Sequence, residues 1–408
     1  MASIINATTT TGVAVQGDNS GELALQTNNG TNAITIDTAQ NVTFAKPISV
    51  GGNTLGAGNA SSFKNRIING AMVIDQRNAG ASVNSPSTAA LAYTLDRWEV
   101  RGDTEGVFSI QQNSSAPAGF VNSLKITVTT IDSSLGATQI YNLSQKIEGY
   151  NVADLGWGTA NAKTVTASFW VRSSVTGTFG GALRNSATNR SYPFTYTISV
   201  ADTWEQKSVT IAGDTSGTWL TTNGLGINLS FSFGAGADRS GTAGAWVAAN
   251  NSSVTGATNL MATLNATWYV TGVQLEVGTQ ATSFDYRPYG TELQLCQRYY
   301  YKIQANASGY LFGTGFNSST TVARAYIPFP VNFRTEATAL EQSGTAADYQ
   351  VFHGASTQTA CSAVPVFSSA TLNAGAINFT VASGLTAGQG SFIRSNSTSG
   401  YLGFSAEL

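Results

Sequence analysis

Four aromatic residues stand in loops rich in glycine and hydrogen-bonding side chains: Trp157 in Leu155-Gly156-Trp157-Gly158, Trp219 in Ser216-Gly217-Thr218-Trp219, Trp246 in Gly244-Ala245-Trp246 and Tyr310 in Ser308-Gly309-Tyr310. An aromatic ring stacks on a pyranose while Asn, Gln, Asp and Arg bond its hydroxyls, so these four are candidate glycan-binding residues. A large aromatic beside glycine also plugs the edge of a β-sandwich, and the sequence leaves both roles open. Catalytic chemistry has less to stand on. His353, the only histidine, lies in Val351-Phe352-His353-Gly354-Ala355-Ser356, and a lone imidazole marks neither a nucleophile nor an orienting carboxylate. Two carboxylates suffice for glycoside hydrolysis, but among the 22 acidic residues Asp75, Asp96, Glu148 and Asp285 fall in segments that read as structural. No catalytic residue is assigned. Cys296 and Cys361 are too few for a disulfide framework and lack metal-ligand spacing, so they read as buried thiols. No metal and no cofactor is expected.

These loops need strands to hold them. In Thr164–Arg172, Val165, Ala167, Phe169 and Val171 alternate with Thr164, Thr166, Ser168 and Arg172, the period of a half-buried strand. Tyr269, Thr271, Val273, Leu275 and Val277 repeat the pattern, as do Leu124, Ile126 and Val128; Phe194, Tyr196 and Ile198; and Ile227, Leu229, Phe231 and Phe233. All seven Trp lie between 98 and 268, which gives this stretch the large aromatic core; Trp204 and Trp268 read as core, and Trp170 as facing away from Phe169. That strand spacing is a sandwich's.

Composition agrees. Only 10% of the 408 residues are charged, against roughly 25% in an average soluble domain, and 43 are Gly, which suits short strands and tight turns. A net charge of −2 gives no basic stripe for nucleic acid. No apolar run reaches the ~20 residues a bilayer requires, and the first residues do not read as a secretory signal. The predicted fold is all-β in three parts. Residues 1–62 carry short alternating pairs (Val13 and Val15, Leu23 and Leu25, Ile34 and Ile36, Val42 and Phe44), too few to make a core alone. They read as an oligomeric β-stalk shared by three chains, closing on a linker at Gly51–Ser62. Residues 63–290 are a jelly-roll β-sandwich, and 291–408 a smaller β-domain, entered through Leu293, Cys296 and Tyr300 at helical spacing.

Two resemblances follow from quoted residues. DNSGELALQTNNGTNAITIDTAQNVTFAKPISVGG, with Asn65-Arg66-Ile67-Ile68-Asn69-Gly70-Ala71-Met72, Asp75-Gln76-Arg77 and Tyr93-Thr94-Leu95-Asp96-Arg97-Trp98, resembles bacteriophage tail-fibre and related virion proteins. Gln145-Lys146-Ile147-Glu148-Gly149, Thr166–Arg172 and Tyr269–Leu275 resemble the jelly roll of carbohydrate-binding modules, over about 63–300. Such modules often hold an Asp in the closing strand, where this chain has Thr271 and Gly272, so a structural calcium is not expected. The resemblances imply a non-catalytic homotrimeric fibre in a virion. It would dock on a tail, baseplate or other virion protein through its N-terminus and meet a host-surface glycan with residues 291–408 as the tip or with the Trp-rich middle. The alternatives are a purely structural capsid fibre or decoration and, further off, a polysaccharide depolymerase.

Overall fold

The computed structural model describes residues 63–408 throughout and, before them, 23–26, 30–39 and 42–44, with the backbone of strands Ser3–Thr8, Gly12–Gly17, Ile48–Val50 and Asn53–Leu55. The apolar pairs of the first segment fall on strands. Ser3–Thr8, Gly12–Gly17, Leu23–Gln26, Asn32–Ile36 and Val42–Phe44 make a five-stranded sheet, and Ile48–Val50 pairs with Asn53–Leu55. Among the described side chains of this segment only Ala24 is buried, while Val42 and Phe44 stay 52% and 42% exposed. The linker expected at Gly51–Ser62 lies outside the described residues except for Asn53–Leu55, which is a strand.

Twelve antiparallel strands build the sandwich. They are β1 (Val83–Asn84), β2 (Leu91–Tyr93), β3 (Glu99–Arg101), β4 (Val107–Asn113), β5 (Ser123–Thr130), β6 (Ile140–Glu148), β7 (Val165–Ser173), β8 (Gly177–Arg184), β9 (Ser191–Ile198), β10 (Glu205–Ile211), β11 (Leu225–Ala235) and β12 (Thr267–Val277). One sheet runs β9-β8-β11-β6-β3-β2 and the other β10-β7-β12-β5-β4-β1. Their inner faces meet as the alternation predicts: Val165, Ala167, Phe169 and Val171 are at most 1% exposed. At the centre Phe231 and Phe233 lie 5.7 and 5.0 Å from the Trp268 ring, and Phe169 lies 4.9 Å from Phe231, mostly edge-to-face, the arrangement aromatic quadrupoles favour. Trp268 is fully buried, whereas Trp204 is only half-buried against Tyr269 and is not a core residue. In β12, Gly272 adopts φ +61° beside a register shift against β7, and a Cβ there would stand 2.6 Å from the Phe120 ring. A bulge under an aromatic ring therefore explains the glycine.

Strands β6 and β11 are buried on both faces, not one. Besides inward Tyr141, Leu143 and Ile147, the outward Asn142 and Ser144 of β6 are 2% exposed, and Ser230 and Ser232 of β11 are no more so. The segment Ser252–Ser253, also buried, passes over this outer face; a Cβ on Gly180 of β8 would meet the Ser253 hydroxyl at 2.4 Å.

The residues resembling the opening of tail-fibre domains form the joint to the next domain. Asn69, at φ +57°, donates through Nδ2 to the Ile74 and Asp96 carbonyls, accepts the Ile74 N–H, and offers its carbonyl to the Trp98 indole at 3.0 Å. Its backbone N–H donates to Glu292 of helix α1 (Tyr289–Gln297), where the helical spacing of Leu293 and Cys296 is realised and Tyr300 begins the following strand. Arg97, 1% exposed, stacks 3.6 Å over Tyr299 and pairs with Glu407, and Arg77 stacks 3.5 Å over Tyr300 and pairs with Glu341. Glu148, at the end of β6, accepts from Arg298 and Tyr299; burial alone would raise its pKa, but these hydrogen bonds hold it below the ordinary value.

Asp96 sits in the same joint, fully buried, accepting from the Gln76 backbone and side chain. Burial outweighs those bonds and pushes its carboxyl from 3.8 up to about 6. A carboxyl raised in the folded state stabilises the fold below its unfolded value and loses that contribution as pH rises through the folded one, so ionised Asp96 costs on the order of 3 kcal/mol above pH ~6. Wild type should therefore gain stability relative to Asp96→Asn as pH falls from about 7 to 4. Parallel unfolding curves for the two proteins over that range would refute it.

The C-terminal domain has its own core, from Ile303 to Ala406, between a seven-stranded and a three-stranded antiparallel sheet. The outer face of the larger sheet exposes Phe316, Tyr326 and Phe392.

Candidate functional site

The covered outer face of the first sheet is a cleft of about 410 Å³, within the range of roughly 300–1,000 Å³ typical of small-ligand sites. Strand pairing sets its floor. Arg101 of β3 lies opposite Asn142 of β6, Glu99 opposite Ser144, and Lys146 opposite Asn228 of β11, which in turn faces Arg184 of β8. Because side chains alternate, the register that sends Leu143 and Leu229 into the core sends this polar set to the other side. Small residues floor the centre, longer charged ones stand at the strand ends, and Arg239, Asn250 and Ser252 enter from the covering segment.

Part of this polarity is spoken for. Glu99 accepts from Ser144 at 2.9 Å and pairs with Lys146 at 3.0 Å; Lys146 also donates to the Leu408 carbonyl at 2.7 Å, and Arg184 Nη1 donates to Asn250 Oδ1 at 3.0 Å. Part is not. Asn142 Oδ1, Asn228 Oδ1, Ser252 Oγ, Arg101 Nε and Arg184 Nε are buried with no partner among the described residues. A buried polar atom left unpaired costs roughly 1–3 kcal/mol, and five such atoms lie around this one cleft. Glu99 is the single carboxylate of the lining, so no pair of acids is assembled here.

The residues singled out from sequence lie elsewhere. Trp157, Trp219 and Trp246 converge from three loops into one cluster with ring separations of 4.8, 5.3 and 5.3 Å, all edge-to-face, and Tyr192 adds a fourth ring at 5.3 Å. Trp157 is buried and the other two half-buried. Each indole N–H donates inward to a backbone carbonyl: Trp157 to Lys163 at 2.8 Å, Trp219 to Ser216 at 3.1 Å, Trp246 to Ala212 at 2.7 Å. With their donors so used, the three tie loops together. Tyr310 stands apart in the C-terminal domain, half-buried 5.8 Å from Phe312. His353 is buried, with Nε2 3.0 Å from Thr359 Oγ1; Asp75 accepts from the Asn78 and Gly80 backbones and Asp285 from Asn65. Cys296 and Cys361 are free and buried, and burial raises both thiols. Among the described residues no group of three or more His, Cys, Asp or Glu is placed to hold a metal ion.

The cleft residues escape sequence reading because Asn142, Ser144 and Lys146 look like the solvent half of an alternating strand. The sequence places its candidate binding residues in loops, whereas the polar groups of this cleft stand on the strands. A signal existed beside it: Ser144, Ser230, Ser232, Ala182 and Gly180 keep one face of three strands small, where the segment with Ser253 comes down on Gly180.

No family model matches the sequence, and no curated protein matches it. Solved structures do. One is the enzymatically active domain of bacteriophage CBA120 tailspike protein 4, 12% identical, aligned over 53% of this chain and 22% of that one with a TM-score of 0.28. The chain thus spans less than a quarter of the tailspike domain's length. Another is the family 11 carbohydrate-binding module of Clostridium thermocellum in complex with a mixed-linked β-1,3-1,4 tetrasaccharide, 12% identical over 50% of this chain and 100% of the module, TM-score 0.25. A third is a xylan-binding domain from Paenibacillus barcinonensis, 11% identical over 50% and 99%, TM-score 0.25.

Proposed function

We propose that this chain is a non-catalytic attachment protein of a phage virion that holds a host-surface glycan in the cleft of its sandwich. The cleft carries the reading: buried, unpaired donors and acceptors on a rigid sheet are suited to a ligand that is itself dense in hydroxyl groups. Its single, engaged carboxylate supports binding without hydrolysis. The half-exposed apolar side chains of the N-terminal sheet, Val42 and Phe44 among them, support burial against identical chains in a homotrimer. In that assembly the N-terminus docks on the tail, baseplate or another virion protein.

Asn142→Leu tests the cleft. It exchanges an unpaired buried acceptor for an apolar side chain of similar volume, which should leave the melting temperature unchanged or slightly higher. Binding of the full chain to host cells or to arrayed glycans should fall at least about tenfold. Wild-type binding by a stable Asn142→Leu protein would remove the cleft from the account. Light scattering on the full-length chain should return three times the chain mass, and a monomer would end the trimer reading.

A further inference from the structure

Resting on the glycan reading, we propose that the cleft selects an anionic saccharide, one bearing a carboxylate, sulfate or phosphate, and that Arg101, Arg184 and Arg239 form its charge-recognition set.

The chain is slightly acidic, with 20 basic and 22 acidic residues, yet this one lining gathers Arg101, Lys146, Arg184 and Arg239 against Glu99 alone. Lys146 and Glu99 neutralise each other, which leaves three guanidiniums. None of these three has a carboxylate within ion-pair distance among the described residues, whereas Arg190 meets Asp214 and Arg298 meets Glu148, each at 2.6 Å. What contacts they have are to neutral groups. Arg184 donates to Asn250, Arg239 only reaches the Thr138 carbonyl at 3.5 Å, and the Nε atoms of Arg101 and Arg184 have no partner. Gathering like charges in one half-buried lining disfavours the folded protein unless something of opposite sign joins them. The planar guanidinium also matches carboxylate, sulfate and phosphate oxygens with two parallel N–H bonds.

Position adds selectivity. Arg184 and Lys146 flank Asn228 across three neighbouring strands, and Arg101 neighbours Asn142, so each cationic end of the cleft has an unpaired amide oxygen beside it. An acidic sugar offers both requirements at once, an anion for the guanidinium and a hydroxyl to donate to the amide oxygen. Burial and the neighbouring arginines lower the Arg184 guanidinium to about 10, while Glu99 acts to raise it, so it remains charged at neutral pH.

The experiment titrates the full chain with oligosaccharides of matched length carrying carboxylates, sulfates, phosphates or no charge. At least one anionic class should bind about tenfold or more tightly than the neutral one, and the preference should shrink as salt screens it. Arg184→Gln and, as a half-exposed position less prone to unfolding, Arg239→Gln should each remove the preference, with Arg184→Lys restoring part of it; thermal melts confirm that the variants fold. Which anionic arm binds identifies the group. Equal binding of neutral and anionic sugars, unchanged in both Gln variants, overturns the anion selection and leaves the glycan reading standing. Failure of every saccharide arm overturns both.

Discussion

Replacing Trp157 with alanine should lower the unfolding free energy by roughly 3–5 kcal/mol, the cost of truncating a buried tryptophan. Trp219 and Trp246 pack on it at 4.8 and 5.3 Å, and its indole N–H closes a bond to the Lys163 carbonyl that alanine leaves unmade. At 2–4 °C per kcal/mol for a domain of this size, the melting transition should fall by roughly 10 °C. Trp219→Ala and Trp246→Ala remove half-buried rings and should cost less while leaving glycan binding at the wild-type level. That contrast separates a plug from a sugar platform. If either of the milder variants keeps its melting temperature but loses glycan binding, the cluster is a binding surface after all.

Arg97→Ala should be comparably damaging, roughly 3–5 kcal/mol. The Glu407 carboxylate, on a side chain 4% exposed, would keep only Arg77 at 3.6 Å, and the Tyr299 ring would lose the cation that covers it. The larger part of this cost belongs to the stranded carboxylate, so the double variant Arg97→Ala with Glu407→Ala should be less destabilised than the two single changes summed. Additive effects in chemical denaturation would show that the pair is not coupled. Because Arg97 joins the sandwich to the C-terminal domain, the single variant should also divide one unfolding transition into two, visible by calorimetry.

Strand periodicity made the sandwich legible: Val165–Val171, Ile227–Phe233 and the fully buried Trp268 lie where an alternating pattern puts them. The spacing of Leu293 and Cys296 likewise falls on a helix. Periodicity reports which residues share a face, but not what later covers the other face. Asn142 and Ser144 therefore look like solvent positions, although Ser252, more than a hundred residues on, lines the same cleft. The loop tryptophans show the converse. Each carried a legible local signal, but meeting one another required the ends of loops some sixty and ninety residues apart to converge, information that no local window holds. The motif residues Asn69, Asp96 and Arg97 were noticed for their resemblance, while their work at the joint depended on Glu292, Tyr299 and Glu407.

Strand β6 runs from the cleft to that joint: Asn142, Ser144 and Lys146 face the cleft, and Glu148 closes the strand in the grip of Arg298 and Tyr299. On the proposed glycan reading, tension between a ligand in the cleft and the C-terminal domain would enter β6 along its axis. Its ladders with β3 and β11 then resist in shear, many bonds at once, instead of peeling one after another. The same strand would then be both the floor of the cleft and the tendon behind it.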